Sequence, residues 1–113
     1  MFCATINSMK ILVMSDIHSN LNALEAVLAD VGEFDTTWFL GDLVGYGPDP
    51  NECVARVREL PALVSLVGNH DTAMLDAIDI REFNQEARQA ILWTQSVLTP
   101  ENQAYLATLS DLK

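Results

Sequence analysis

The first strongly apolar run of the chain extends from Lys10 to Met14 and is apolar at every position after the lysine. A continuous apolar run indicates a strand that is buried on both faces, as in a parallel sheet. From residue 20 onward the apolar positions instead recur with the 3.6-residue period of a helix. These positions are Leu21, Leu24, Leu28 and Val31. Gly32 follows the last of them and is typical of a helix end, so we predict a strand and then a helix.

The alternation of strand and helix continues along the chain. Residues 37–40 combine threonine, aromatic and leucine side chains, which favours a second strand. Asp49 and Pro50 predict a helix start, with the aspartate as N-cap and the proline in the first turn, and Pro61 ends that helix. A third strand is predicted over residues 63–67. The order strand, helix, strand, helix, strand predicts two right-handed βαβ units, and therefore an α/β fold with a parallel sheet.

Helical patterns follow the third strand. Apolar residues at helical spacing predict a short helix that includes Ala73, Ala77 and Ile78, and a longer helix over residues 83–98. Thr99 followed by Pro100 predicts the start of a further helix. We therefore expect the βαβαβ unit to be followed by C-terminal helices, without a fourth strand.

Residues 1–8 precede the first predicted strand and show no periodic pattern. A second methionine, Met9, stands where the periodic sequence begins. We therefore interpret residues 1–8 as an N-terminal extension, either an upstream start or a flexible tail. Residues 9–113 have the size of one small domain, or of part of a larger one.

Polar side chains follow each of the three predicted strands. They are Asp16 and His18 after the first strand, Asp42 after the second, and Asn69, His70 and Asp71 after the third. Because Asp16 and His18 are two residues apart, extended backbone would point both side chains to the same side. The carboxyl ends of parallel strands meet at one edge of the sheet, where α/β proteins build their sites. We therefore expect these side chains to converge.

The converging residues have the chemistry of a divalent metal site. A two-metal hydrolytic site needs one carboxylate that bridges two ions about 3.5–4 Å apart, and Asp42, on the middle strand in sequence, is the predicted bridge. Asp16 and His18 would hold one ion, and Asn69 would hold the other through its amide oxygen. Such ions activate water for in-line attack on phosphorus, so we predict a phosphoesterase.

The remaining motif residues have predicted supporting roles. His70 would act as a general acid, or as a donor to charge that develops on the leaving oxygen. Asp71 would fix the tautomer of His70, and the alternative for Asp71 is a helix cap. Gly41 and Gly68 precede ligands at strand exits, where a Cβ atom would crowd the cluster. For Tyr46 two interpretations stay open, a cover for apolar surface and a substrate contact.

The chain is strongly acidic, with a formal net charge of −10 from 6 basic and 16 acidic residues. This charge argues against duplex nucleic acid as a partner, because phosphate backbones are bound by clustered lysine and arginine. A phosphorylated small molecule stays compatible, since bound metal ions can reverse the charge inside a cleft. Cys3 and Cys53 form no framework spacing, which favours a reduced, cytoplasmic setting. No apolar run has the length of a membrane helix, so no membrane partner is expected.

The three motifs together, Asp-x-His, Gly-Asp and Gly-Asn-His-Asp, resemble those of the calcineurin-like metallophosphoesterase superfamily. The wider sequence around them is similar to the YfcE-like bacterial and archaeal branch. The resemblance implies a four-layer αββα sandwich, of which this chain is similar to the N-terminal portion. It implies two divalent ions (Mn, Fe, Zn or Ni) as cofactors and the hydrolysis of a phosphomonoester or phosphodiester. It also implies that Asp16, His18, Asp42 and Asn69 are metal ligands and that His70 is the catalytic histidine.

Two departures from the family pattern bear on activity. The protein serine/threonine phosphatases of the superfamily carry an arginine that holds the phosphate, in Gly-Asp-x-Val-Asp-Arg-Gly. Residues 41–47 of this chain read Gly-Asp-Leu-Val-Gly-Tyr-Gly, without that arginine, which argues against protein phosphatase activity. The family's later Gly-His and Gly-His-x-His motifs supply three more histidine ligands, whereas this chain contains only His18 and His70.

The sequence therefore leaves two hypotheses open. In the first, the chain is a dinuclear-metal phosphoesterase. In the second, it is an incomplete, non-catalytic module that binds metal or forms a homo-oligomer through an uncovered apolar sheet face. A haloacid-dehalogenase-like or receiver fold is less compatible, because the former would have Asp-x-Asp after the first strand, where this chain has Asp-x-His.

Overall fold

The computed structural model describes residues 2–6, 9–73, 81 and 83–109, without the side chains of residues 2–6 and Asn69. It contains one sheet of four strands in the spatial order β1-β2-β3-β4. The strands are β1 (Phe2–Ile6), β2 (Met9–Met14), β3 (Thr36–Phe39) and β4 (Leu63–Ser65). Strands β2, β3 and β4 are parallel, which confirms the predicted βαβαβ arrangement.

Strand β1 was not predicted. It pairs antiparallel with β2 along its whole length, from Phe2 opposite Val13 to Ile6 opposite Met9. The segment shows no alternation of apolar and polar residues, and an edge strand of this kind depends on pairing with its neighbour more than on its own residues. The N-terminal extension therefore contains a strand, contrary to the expectation of a flexible tail.

Five helices complete the described chain. They are α1 (Leu21–Val31), α2 (Pro50–Arg58), α3 (Asn69–Ala73), α4 (Gln85–Val97) and α5 (Pro100–Ala107). Helix α3 begins at Asn69, so the last strand-end motif forms a helical turn rather than a loop. Of the short helix predicted from Ala73, Ala77 and Ile78, Ala73 is the last residue of α3, and Ala77 and Ile78 lie outside the described residues.

Side-chain caps fix the starts of three of these helices. The side chains of Asn20, Asn84 and Thr99 accept hydrogen bonds from backbone amides in the first turns of α1, α4 and α5. Such caps satisfy amides that have no partner within the helix. Asp49 occupies the predicted N-cap position of α2, but its side chain makes no capping hydrogen bond. Pro50, which has no N–H to satisfy, begins that helix as predicted.

The hydrophobic core lies between one face of the sheet and the helices. Leu12 and Met14 of β2 share this face with Phe39 of β3, because Met14 and Phe39 are partners across the two strands. Helices α1, α2, α4 and α5 contribute large apolar side chains to the core, and α3 contributes only Ala73. These include Leu24 of α1, Val54 and Val57 of α2, Ile91 of α4 and Leu106 of α5.

The opposite face of the sheet exposes apolar side chains. Val13, Trp38 and Val64 are partners in neighbouring strands and so lie side by side. Trp38 is 43% exposed and Val64 is 57% exposed. The face therefore exposes two large apolar side chains, whereas Val13 beside them is buried. Among the residues that the structure describes, no helix is both long enough and apolar enough to cross a membrane.

We predict that truncation of Leu24 destabilises the chain strongly. This side chain is fully buried in the core cluster, and removal of a buried leucine leaves a cavity. Leu24→Ala should lower the free energy of unfolding by about 2–5 kcal/mol, measured by urea denaturation. Leu92→Ala on α4 is the matched control, because Leu92 is 55% exposed. Equal losses for the two variants would contradict this assignment of the core.

We also predict that Cys53 is chemically inert in the folded chain. Burial, reinforced by the nearby acids Asp49 and Glu52, raises the pKa of its thiol to about 12. The thiol is then protonated at every pH below that value, and only the thiolate reacts with alkylating agents. Iodoacetamide at pH 8 should modify Cys53 only after unfolding in urea, as measured by peptide mass spectrometry. Rapid modification without denaturant would show that the thiol is accessible.

Candidate metal centre

The site begins where the loops after β2 and β3 run side by side. The amide of Asp16 donates to the carbonyl of Gly41 at 3.0 Å, and the amide of His18 donates to the carbonyl of Asp42 at 3.0 Å. These hydrogen bonds continue the parallel pairing beyond the ends of the strands. They place the two polar motifs next to each other at the carboxyl edge of the sheet.

The backbone of both loops is unusual for non-glycine residues. Positive φ values between +49° and +63° occur at Asp16, His18, Ser19, Asp42 and Tyr46. Such conformations cost of order 1–3 kcal/mol each and concentrate at functional sites. The sequence predicted that strand alternation would align Asp16 with His18. That reason was wrong, because β2 ends at Met14 and the left-handed turns bring the two side chains together.

Three of the predicted metal ligands converge. Asp16, His18 and Asp42 each offer one ligand atom, and these atoms all lie within 4.8 Å of one another. Oδ1 of Asp16 lies 3.3 Å from Nε2 of His18. A hydrogen bond of 2.6 Å from the hydroxyl of Ser15 lowers the pKa of Asp16, which keeps this carboxylate ionised. Two carboxylates and one imidazole fit a divalent transition metal.

The tautomer of His18 is set by the neighbouring loop. Its Nδ1 lies 3.3 Å from the carbonyl oxygen of Val44. A carbonyl can only accept, so this contact favours the tautomer with its proton on Nδ1, in which Nε2 has a lone pair to offer a metal ion. This arrangement is the one that metal-bound histidines use.

Asp42 connects the second motif to the third. Its Oδ1 accepts a hydrogen bond of 3.1 Å from the amide of His70. A Cβ atom at Gly68 would collide with the Asp42 carboxylate, and one at Gly41 would lie 2.8 Å from the amide nitrogen of Gly68. These contacts agree with the predicted need for glycine at both strand exits.

Asp71 does not make the predicted contact with His70. Its carboxylate instead accepts hydrogen bonds from the amides of Leu43, Val44 and Gly68, at 3.2, 3.0 and 3.1 Å. The bond from Gly68 has the form of the N3 half of a capping box, since Asp71 is the third residue of α3. Asp71 therefore joins two loops. Burial raises its pKa, and the three amides act in the opposite direction.

His70 lies in a group of aromatic rings. Its ring centroid is 4.8 Å from those of His18 and Tyr46 and 5.0 Å from that of Phe83. Its Nδ1 is buried and has no hydrogen-bond partner in the part of the chain that the structure describes. Burial and the nearby His18 lower the pKa of His70, which favours the neutral imidazole.

The remaining predicted ligand is only partly described. Asn69 begins α3 at the same edge of the sheet, whereas its side chain lies outside the described residues. Sequence reasoning missed the carbonyl of Val44, the hydroxyl of Ser15 and the ring of Phe83. A backbone carbonyl carries no sequence signal, and Phe83 follows His70 by 13 residues, with no local pattern to link the two.

A separate cleft of about 590 Å³ lies at the opposite edge of the sheet. It is lined by Gly32, Phe34, Asp35 and Pro61, which precede β3 and β4, and by the end of α2. None of the predicted metal ligands lines this cleft. We therefore do not assign the metal centre to it.

Comparison with known proteins finds a matching family and related sequences. The family model described as calcineurin-like phosphoesterase matches residues 9–108. The uncharacterized protein MJ0912 of Methanocaldococcus jannaschii is 48% identical over 101 residues, which cover 88% of this chain and 41% of that protein. The symmetrical bis(5'-nucleosyl)-tetraphosphatase of Pectobacterium carotovorum is 43% identical over 67 residues, which cover 56% of this chain and 24% of that protein.

A solved structure is also similar. The crystal structure of a metallophosphoesterase from Sphaerobacter thermophilus has a TM-score of 0.77 and 51% sequence identity, and the match covers 91% of this chain and 42% of that chain. The chain thus spans less than half the length of each of these three relatives.

We predict that Asp71→Asn loosens the site by unfolding its loops. An asparagine has one acceptor oxygen, so its NH₂ group would face at least one of the three amides and leave it unsatisfied. The free energy of unfolding should fall by about 1–3 kcal/mol, measured by urea denaturation. Asp35→Asn is the control, because the Asp35 carboxylate accepts from a backbone amide at an exposed position. If Asp71→Asn lowers the free energy of unfolding no more than the control does, Asp71 does not hold the two loops together.

Proposed function

Since the chain belongs to the calcineurin-like phosphoesterase family, we propose that its strand-end site binds two divalent metal ions and serves the hydrolysis of phosphoester bonds. The observation that carries the proposal is the convergence of Asp16, His18 and Asp42, whose ligand atoms lie within 4.8 Å of one another. Divalent ions held there would supply the Lewis acidity that polarises a phosphoryl oxygen and activates water.

The proposed ligands divide between two positions. Asp16 and Nε2 of His18 would hold one ion, and Asn69 would contribute to the other. Asp42 serves both, because one of its oxygens is oriented by the amide of His70 and a carboxylate has lone pairs in several directions. The loop contacts described above hold Asp16, His18 and Asp42 in place before any ligand binds, which reduces the cost of ordering them.

His70 is the proposed catalytic histidine. Its Nδ1 is buried against the backbone of Gly45, so Nε2 is the nitrogen that can reach a substrate oxygen. The neutral ring that burial favours donates a hydrogen bond from Nε2 when the proton resides there. In this role His70 stabilises charge on the phosphoryl or leaving oxygen.

We propose a phosphorylated small molecule as the substrate. One similar protein is named a bis(5'-nucleosyl)-tetraphosphatase, which supports a phosphoester with a nucleoside-like group. The net charge of −10 also favours a small molecule over a nucleic-acid duplex as the substrate. An acidic surface repels a phosphate backbone, so only the bound metal ions would attract the phosphate of the substrate.

The second candidate function is metal binding without turnover by this chain. Its support is the histidine content, because both histidines of the chain already belong to the site. A dinuclear centre with only these imidazoles would hold its ions with few nitrogen ligands. Turnover and metal binding therefore need separate measurements.

We predict that the chain binds Mn²⁺ at this site and that Asp42→Asn weakens the binding by at least about 10-fold. Loss of a residue that only hydrogen-bonds to a metal ligand already has an effect of about this size. The physical reason is the loss of a negative oxygen ligand shared by both positions. Mn²⁺ binding is measured by electron paramagnetic resonance titration. Turnover of p-nitrophenyl phosphate and of bis-p-nitrophenyl phosphate is measured on the same samples.

Asp30→Asn is the control for this experiment, because Asp30 is an exposed acid on α1. Turnover by the wild-type chain that Asp42→Asn abolishes would support the hydrolase. Mn²⁺ binding without turnover would favour the second candidate. Failure to bind Mn²⁺ at millimolar concentration, or equal binding by Asp42→Asn, would contradict the site.

A further inference from the structure

Tyr46 holds an aromatic ring at the rim of the metal centre. Its ring centroid lies 5.2 Å from that of His18 and 4.8 Å from that of His70. The residue is nevertheless 52% exposed. An aromatic side chain that serves stability is normally buried, so half of the surface of this residue is left accessible beside a ligand and the proposed catalytic histidine.

The backbone of Tyr46 has an unfavourable conformation. Tyr46 has φ +63°, a region that bulky residues rarely adopt, and it follows Gly45 at φ +97°. The amide of Gly47 donates to the carbonyl of His18 at 2.9 Å, and the carbonyls of His18 and Ser19 leave no space for a Cβ atom at Gly47. The loop is thus tied to the residues that surround the metal centre, and it carries Tyr46 with it.

Neither burial nor backbone preference explains a tyrosine at this position. A glycine would adopt the same φ without strain, and an exposed position gains little from an aromatic side chain. Packing against His70 does not require it either, because Phe83 and the backbone of Gly45 already contact that ring. A function in ligand contact accounts for both the strain and the exposure.

We infer that Tyr46 is a specificity-determining residue that contacts a planar ring in the organic group of the substrate. The inference rests on the proposed function, in which the phosphoryl group of the substrate lies at Asp16, His18 and Asp42. The organic group then extends from the phosphoryl group over the rim that Tyr46 occupies. A tyrosine ring offers a π face, and contact between two flat rings is favourable for any aromatic group.

The inference predicts selectivity for aromatic over saturated ligands. Phenylphosphonate and cyclohexylphosphonate have the same number of carbon atoms and a bond to phosphorus that phosphoesterases do not hydrolyse. With the Mn²⁺-loaded full chain, phenylphosphonate should bind about 10-fold more tightly, the effect expected for one stacked ring. Dissociation constants are measured by isothermal titration calorimetry, so the readout does not depend on turnover.

Two variants assign the selectivity to Tyr46. Tyr46→Leu should abolish the affinity ratio, and Tyr46→Phe should keep it. The ratio is the informative quantity, because a weakened metal site would reduce the affinity for both phosphonates alike. Tyr105→Leu is the matched control and should keep the ratio, since Tyr105 lies on α5 beneath the guanidinium of Arg58, at the far end of α2.

The outcomes separate this inference from the function on which it rests. Mn²⁺ binding is measured first, and its absence would overturn the proposed function and this inference together. With Mn²⁺ bound, equal affinities for the two phosphonates in the wild-type chain would overturn the inference alone. A ratio that persists in Tyr46→Leu would also overturn it, because the selectivity would then come from another residue.

Discussion

The carboxylate of Asp71 joins backbone amides from two loops that lie far apart in the sequence. Leu43 and Val44 belong to the loop after β3, and Gly68 precedes α3. Amides buried without a partner are costly, so one buried acid makes this approach of the loops possible. The carbonyl of Val44 then orients His18, and the first turn of α3 presents the amide of His70 to Asp42. The positions of Val44 and of α3, and through them the orientation of His18 and Asp42, therefore depend on the Asp71 carboxylate.

The magnitudes explain why a buried acid is tolerated there. Burial of an ionised carboxylate costs several kcal/mol. Hydrogen bonds to a charged group contribute about 1.5–3 kcal/mol each, and three of them are of the same order as the penalty. The two effects act on the pKa of Asp71 in opposite directions, with burial the larger. Asp71 thus contributes to loop position with little net change in stability, whereas its removal leaves three donors unpaired.

Much of this arrangement could be predicted from the sequence. The apolar run before Asp16 predicts β2, and the helical period after it predicts α1. A strand that is buried on both faces is apolar throughout, whereas a helix that is buried along one side is apolar at every third or fourth residue. Parallel topology predicts that the motifs of Asp16, His18 and Asp42 meet at one edge of the sheet, although it does not predict how their side chains converge. Strand β1 could not be predicted, since its residues carry no alternation and its hydrogen bonds come from β2. The partners of Asp71 were missed for a related reason, because backbone amides leave no trace in the residue pattern.

The left-handed turns show a further limit of pattern reasoning and explain its partial success. Asp16, His18 and Asp42 all have positive φ, where glycine would be more stable. A stability argument would place glycine at these positions, yet a glycine has no ligand to offer. Functional side chains therefore occupy strained positions, and the neighbouring Gly41 and Gly68 provide the close approach that the loops require. The polar ligands and the glycines both stand out in the sequence. Only the packed structure shows that left-handed backbone turns, rather than strand alternation, direct the ligand side chains to one point.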